Sequence, residues 1–249
     1  YMEYFTTSNT NVFSKFEIAK SSSEKQIYLD KNHPYTFHYN KLNALSNNSK
    51  FIILVRDYRA NILSRKQKPY FRTGNVAYNA IRWKSFHKEI LKYRENENCM
   101  LIRYEDMVDD LQLTLENICA FFNIDFEESM LDYEKLDFTE SKIESGTTDK
   151  FAKQHFSGLN RKVNSDRVHA WKTELTEQEI AISESICGDI GQLYGYQKSN
   201  NKATASLTYI KYLKYFLKAY FDKKKETATY YLPLNFKMKR LRKSLNKLK

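Results

Sequence analysis

Phe51-Ile52-Ile53-Leu54-Val55-Arg56-Asp57-Tyr58-Arg59 is the stretch whose reading decides the fold. The opening apolar run, rich in β-branched residues and bounded by charge, predicts a central strand of a parallel sheet, buried on both faces. A second run, Cys99-Met100-Leu101-Ile102, ends in the same manner at Arg103-Tyr104-Glu105-Asp106. A third, Gln26-Ile27-Tyr28-Leu29, runs into Asp30-Lys31-Asn32-His33-Pro34.

Working outward, helical periods separate and follow these strands. A helix is expected from about Pro34 to Leu45, proline suiting a first turn. Another runs from Arg56-Asp57 to about Lys66, and a longer one covers Val76–Tyr93 with Val76, Ala80, Trp83, His87 and Ile90 on one stripe. Leu111, Leu115, Ile118 and Phe122 mark the next. Residues 133–168 are polar and predicted to be loop-rich. Thr176 then opens a helix as a capping box with Glu179, with Ile182, Ile186, Ile190 and Leu193 as its buried stripe. Alternating strand and helix predicts an α/β fold, a parallel β-sheet flanked by helices. Ligands of such sheets sit beyond the carboxyl ends of the strands, which here are Lys31, Arg56 and Arg103-Tyr104.

The composition narrows the function classes. The chain has 249 residues, and its 41% hydrophobic content supports a core. Six glycines and three prolines are too few for a turn-dense sandwich. The formal net charge of +11 lies in residues 205–249, where eleven lysines and two arginines face only Asp222 and Glu226. The rest of the chain balances to zero, which speaks against a uniformly basic nucleic-acid binder. Accordingly the sequence divides into a domain over 1–196, a polar linker over 197–204 and a basic amphipathic helical tail over 205–249. Cys99, Cys119 and Cys187 are scattered and odd in number, implying neither a disulfide framework nor a zinc site, and each reads as buried core. Sparse cysteines point weakly to the cytoplasm, and the Golgi lumen stays open. The chain begins at Tyr1, and is expected to be cut from something longer.

Arg56-Asp57-x-Arg59, with Ser64 eight residues after Arg56, has a mechanical reading. An arginine at a strand end presents a planar fork to a phosphate, and a serine about two helical turns on adds a hydroxyl. The bland alternative is a surface ion pair of Arg56 with Asp57 or Glu105. Trp83 and His87 read as packed core, and His38, His155 and His169 show no cluster spacing.

Taken in order, these pieces resemble the family of sulfotransferases that use 3′-phosphoadenosine 5′-phosphosulfate (PAPS), over about residues 25–196. The resemblance implies a P-loop-like nucleotide fold in which Arg56 and Ser64 hold the 3′-phosphate, although Tyr58 stands where the family usually has proline. Lys31 falls where the family keeps a lysine near the donor's bridging oxygen. Asp30-Lys31-Asn32-His33 is similar to both the Lys-x-Pro and the Lys-x-His forms. Arg103-Tyr104-Glu105-Asp106 is similar to an element whose tyrosine, here Tyr104, contacts the adenine side. Val163-Asn164-Ser165-x-Arg167 through Trp171-Lys172 resembles the late segment that closes over the nucleotide, with Asn164 as the contact. Ala170 stands where one branch has a lysine. The family's 5′-phosphosulfate loop is expected upstream of Lys31, and residues 1–24 do not supply it. Ser145-Gly146-Thr147-Thr148 mimics its letters without a preceding strand and reads as a decoy.

The implied reaction moves a sulfuryl group to a hydroxyl or amine of an acceptor, with carbohydrate the expected class. Positioning and charge stabilisation carry such a transfer. Lys31 is suited to neutralise the departing phosphate oxygen. His33 titrates near working pH and is a candidate base, the alternative being a glutamate upstream. A monoanionic sulfonate needs no divalent clamp, and no metal-ligand spacing is present. A P-loop kinase would need G-x-x-x-x-G-K-[ST], which the sequence lacks. The tail reads equally as a peripheral membrane contact and as a helix packed on the domain or solvated. A competing reading is therefore an inactive nucleotide-fold protein serving as a membrane-surface module.

Overall fold

The computed structural model describes residues 39–40, 43, 49–67, 74–135, 165–199 and 209–231. The chain divides into two units, one of residues 50–217 and one of residues 1–49 with 218–249. The predicted strand at 26–29, Lys31, His33 and Asn164 lie outside the described residues. Of the helix expected over Pro34–Leu45, residues 39, 40 and 43 are described, and they are helical.

Within residues 50–217, strand β1 (Phe51–Val55) pairs in parallel with β2 (Cys99–Arg103), Phe51 opposite Cys99 and Val55 opposite Arg103. Two helices make the crossover between them. These are α1 (Tyr58–Lys66) and α2 (Val76–Ile90), the latter tightening into a 3₁₀ turn at Leu91–Tyr93. Beyond β2 come α3 (Tyr104–Asp109), α4 (Leu111–Phe122) and a 3₁₀ segment over Glu128–Lys135. Then follow the short α5 (Asp166–His169) and α6 (Trp171–Glu174) and the long α7 (Glu177–Leu193); the last helix, α8 (Tyr209–Tyr231), extends past residue 217. The α/β class with a parallel sheet and flanking helices is as the alternation predicts.

Side-chain caps explain where these helices begin. Asp57 accepts the Arg59 N–H at the start of α1, Asn75 that of Tyr78 at α2, and Asp110 that of Leu113 at α4. At α7 the predicted capping box is formed: the Thr176 hydroxyl accepts from Glu179 N–H (3.2 Å) and the Glu179 carboxylate from Thr176 N–H (3.0 Å).

The core lies where α1, α2 and α7 meet, and the predicted α2 stripe is its floor. Val76, Ala80, Trp83, His87 and Ile90 are all buried. His87 stacks on Trp83 at 3.7 Å between ring centres, and its Nδ1 lies 2.8 Å from the Trp83 carbonyl. Burial pulls its pKa down to about 4, so it packs as a neutral ring. Cys119 and Cys187 are buried as expected, whereas Cys99 is half-buried.

Three expectations need correction. The five apolar residues of β1 are not buried on both faces: Ile52 and Leu54 are exposed while Val55 is buried, so burial follows the two-residue period of a pleated strand. The α4 stripe is only half-buried, the sealed positions being Thr114 and Cys119. On α7 the inward face is rotated: Ile180, Ser183, Glu184, Cys187 and Gly191 are buried with Ile186, and Leu193 is exposed. Close approach sets that rotation. A Cβ at Gly191 would lie 2.5 Å from Tyr58 Cε1, so only glycine lets α1 come this near. The end of α7 is equally specified, because Gly195 takes the left-handed φ of 85°, with Tyr196 N–H reaching the Gly191 carbonyl and Gly195 N–H that of Gln192.

Candidate functional site

The parallel register that sets Val55 opposite Arg103 makes Arg56 and Tyr104 neighbours at the carboxyl ends of the two strands. There the Arg56 guanidinium lies over the Tyr104 ring, 4.4 Å from its centre. Its Nη2 donates to the carbonyl of Arg167 (2.6 Å), on the short helix α5. The buried Nε has no hydrogen-bond partner among the described residues. Trp83 Nε1–H donates to the Arg56 carbonyl (3.2 Å), fixing the backbone from which the side chain projects. Burial lowers the Arg56 pKa, partly offset by Tyr104 and Glu105. The guanidinium is thus a half-buried cation with unused donor capacity, which favours an anionic partner.

The ion-pair alternative for Arg56 does not describe this geometry, because its neighbours are already engaged. Glu105 accepts from Asp57 N–H at one oxygen (3.0 Å) and from the Tyr196 hydroxyl at the other (2.8 Å). Asp57 caps α1 and binds Arg59, through Nε to Oδ1 (3.0 Å) and Nη2 to Oδ2 (2.7 Å). Arg59 reaches across to α7, donating from Nη1 to Glu184 (2.8 Å), and lies 3.9 Å over the Trp171 ring. Glu184 also accepts from Ser199 N–H (2.8 Å). Burial works against the Arg59 cation, but the bonds and charge of Asp57, with Glu184, outweigh it and raise its pKa above the ordinary value. The second arginine of Arg-Asp-x-Arg is therefore a buried brace, and the first is left at the rim.

Of the residues singled out from the sequence, the structure brings Arg56 and Tyr104 together. Ser64 lies half-buried in the second turn of α1, eight residues beyond Arg56. The late segment reaches the rim through Arg167, whose guanidinium donates to Gln67 (2.7 Å) just past α1 and so holds α5 beside Arg56. The Arg167 carbonyl and the Arg59–Glu184 brace were not legible as site features. One signal existed: Glu184 falls among Ile180, Ser183 and Cys187 at helical spacing, and a carboxylate on an apolar face needs a buried cation. Among the described residues no group of three or more His, Cys, Asp or Glu side chains is placed to hold a metal.

Comparison with known proteins gives the family and the fold. Residues 4–128 match the sulfotransferase family, a span that includes Lys31, His33, Arg56, Ser64 and Tyr104 and stops short of Asn164. A 3-alpha-hydroxysteroid sulfotransferase of Cavia porcellus is 26% identical over 123 residues, 43% of this chain and 41% of its own length. A putative protein-tyrosine sulfotransferase of Caenorhabditis briggsae is 22% identical over 168 residues, 64% of this chain and 57% of its own. The chain thus spans about half the length of these curated relatives. Among solved structures, the sulfotransferase domain from the curacin biosynthetic pathway superposes with a TM-score of 0.58 at 21% identity, covering 76% of this chain and 69% of that one. That superposition shares the fold, a parallel sheet with flanking helices. Matched over half of its residues, the chain belongs to the sulfotransferase family.

Proposed function

We propose that this protein transfers a sulfuryl group from PAPS to a hydroxyl, or an amine, of an acceptor molecule. The observation that carries the reading is the half-buried Arg56 guanidinium at the strand end against Tyr104, its buried Nε unsatisfied. Such a cation suits a ribose-borne phosphate, and an aromatic ring beside it suits the adenine end of the same nucleotide. On this reading Ser64 contributes a hydroxyl to the same phosphate, and Asn164 is a further nucleotide contact. PAPS, when bound, supplies the activated sulfonate.

In the transfer, the bond between sulfur and the phosphate oxygen breaks as a bond from the acceptor oxygen to sulfur forms. Lys31 stabilises the charge left on the departing phosphate, and His33 takes the acceptor's proton. The names of the two curated relatives refer to a hydroxysteroid and to protein tyrosine, and both carry hydroxyl acceptors. That supports a hydroxylated acceptor here, and carbohydrates are the class to assay first.

Calorimetric titration of the full chain with 3′,5′-ADP tests the reading, with 5′-ADP as the control lacking the 3′-phosphate. The 3′-phosphate is expected to tighten binding by about tenfold or more, and Arg56→Ala to abolish the difference. Equal affinity for the two nucleotides, or unchanged binding in a folded Arg56→Ala variant, would reject it.

A further inference from the structure

Helix α8 carries most of what the transfer reaction leaves unused, and its side chains sort into three sectors around its own axis. Tyr212 and Ala219 are buried. Leu213 (53% exposed), Phe216, Leu217 (50%), Tyr220 (55%) and Phe221 (64%) are not. At roughly 100° per residue the exposed five fall on one continuous arc, the i, i+3, i+4, i+7, i+8 pattern of an amphipathic helix turned outward. Lys214, Lys218 and Lys225, all exposed, line one border of that arc, and the exposed Lys224 stands on it one turn beyond Tyr220. The Lys214 ammonium lies 5.0 Å from the Tyr215 ring centre and that of Lys224 lies 5.6 Å from the Tyr220 ring, aromatic stems beside cationic tips. Asp222 falls roughly half a turn away from Leu213.

Five large apolar side chains in one exposed stripe are uncommon on a protein that keeps them in water. We infer that this outward face of α8 docks on an anionic lipid bilayer, lying in the interface with Leu213, Leu217 and Phe221 among the acyl chains and the lysines at the headgroups. Charge selects that occupant. Residues 205–249 hold thirteen basic against two acidic groups, so a second copy of the chain would bring like charges together, while an anionic surface complements them. Aromatic rings next to lysines are the composition of an interfacial helix. Spanning is not involved, since among the described residues no helix is long and apolar enough to cross a membrane.

Flotation of the full chain with vesicles tests this. Phosphatidylcholine vesicles with about 30 mol% phosphatidylserine are expected to bind it at least about tenfold more tightly than phosphatidylcholine alone, and raising NaCl to about 0.5 M to reduce that preference. Phe221→Glu and Leu217→Glu, both at exposed positions, are each expected to weaken binding about tenfold or more. Lys214→Ala is expected to weaken it about fivefold on anionic vesicles only. No flotation of the unmodified chain, equal binding to both compositions, or binding unchanged in a folded Phe221→Glu would overturn the inference. So would a dimer in sedimentation that Phe221→Glu converts to monomer, which would assign the face to a second copy.

Discussion

Arg56 and Arg59 stand within one turn of each other, yet they belong to regions built on opposite terms. Around Arg59 each guanidinium nitrogen makes a bond, two to Asp57 and one to Glu184, with the Trp171 ring across its face. Around Arg56 the matching is incomplete, with one bond to the Arg167 carbonyl, a ring beneath and a buried Nε without a partner. The first arrangement ties α1 to α7 and has nothing left to offer a ligand. The second keeps donor capacity at the open end of the sheet. With Arg56 as the proposed phosphate ligand, stability and binding are separated over three residues of sequence.

The sharpest way to break that contrast is Arg59→Ala. It strands the Asp57 and Glu184 carboxylates in the interior, and urea unfolding should show a loss of about 3–5 kcal/mol. A loss below about 1 kcal/mol would mean that the brace is not structural.

The interior has a second, pH-dependent element in His87. Its pKa of about 4 in the fold lies below the ordinary value near 6.5. The unfolded chain therefore takes up the proton first as pH falls. The neutral ring's contribution is fully present above about pH 6.5 and drains away towards pH 4, for a total near 3 kcal/mol at most. Urea midpoints of the native chain should fall more steeply over that window than those of His87→Asn, and parallel curves would show that His87 is not the group responsible.

At the rim the effect should appear only with ligand. At 100 times the native Kd, 3′,5′-ADP should stabilise the native chain by about 2.7 kcal/mol and Arg56→Ala by about 1.4 kcal/mol or less, while the two differ little without nucleotide. A large loss of stability in unliganded Arg56→Ala would erase the distinction between the regions. The smallest effect is expected from Ser64→Ala, which removes one hydroxyl. Nucleotide affinity should drop up to about tenfold with the unfolding midpoint unchanged, as read by titration and melting.

How much of this was legible depended on sequence distance. Strand ends are local: an apolar run followed by Arg-Asp or Arg-Tyr announces its own boundary, so Arg56 and Tyr104 could be placed on one rim before any coordinates. The capping box at Thr176 and the stripe through Trp83 and His87 are local as well, and both are found as the spacing predicts. What failed was long-range. On α7 the bulkiest residues suggest one stripe, but the inward face is set by the Gly191 notch that admits Tyr58 and by the pairing of Glu184 with Arg59, 125 residues away in sequence. Periodicity ranks residues by hydrophobicity and cannot register a small residue chosen for closeness or a carboxylate chosen for its partner. Strand β1 departs from expectation for a related reason, since a run of uniform letters conceals that only alternate positions face inward.

One consequence follows from the pairing of Val55 with Arg103. Because adjacency of Arg56 and Tyr104 depends on that alignment, a side-chain change elsewhere in the two strands leaves the cation over its ring as long as the register holds. A single residue gained or lost inside either strand is another matter: it turns every following side chain to the opposite side of the pleat and parts the cation from its ring.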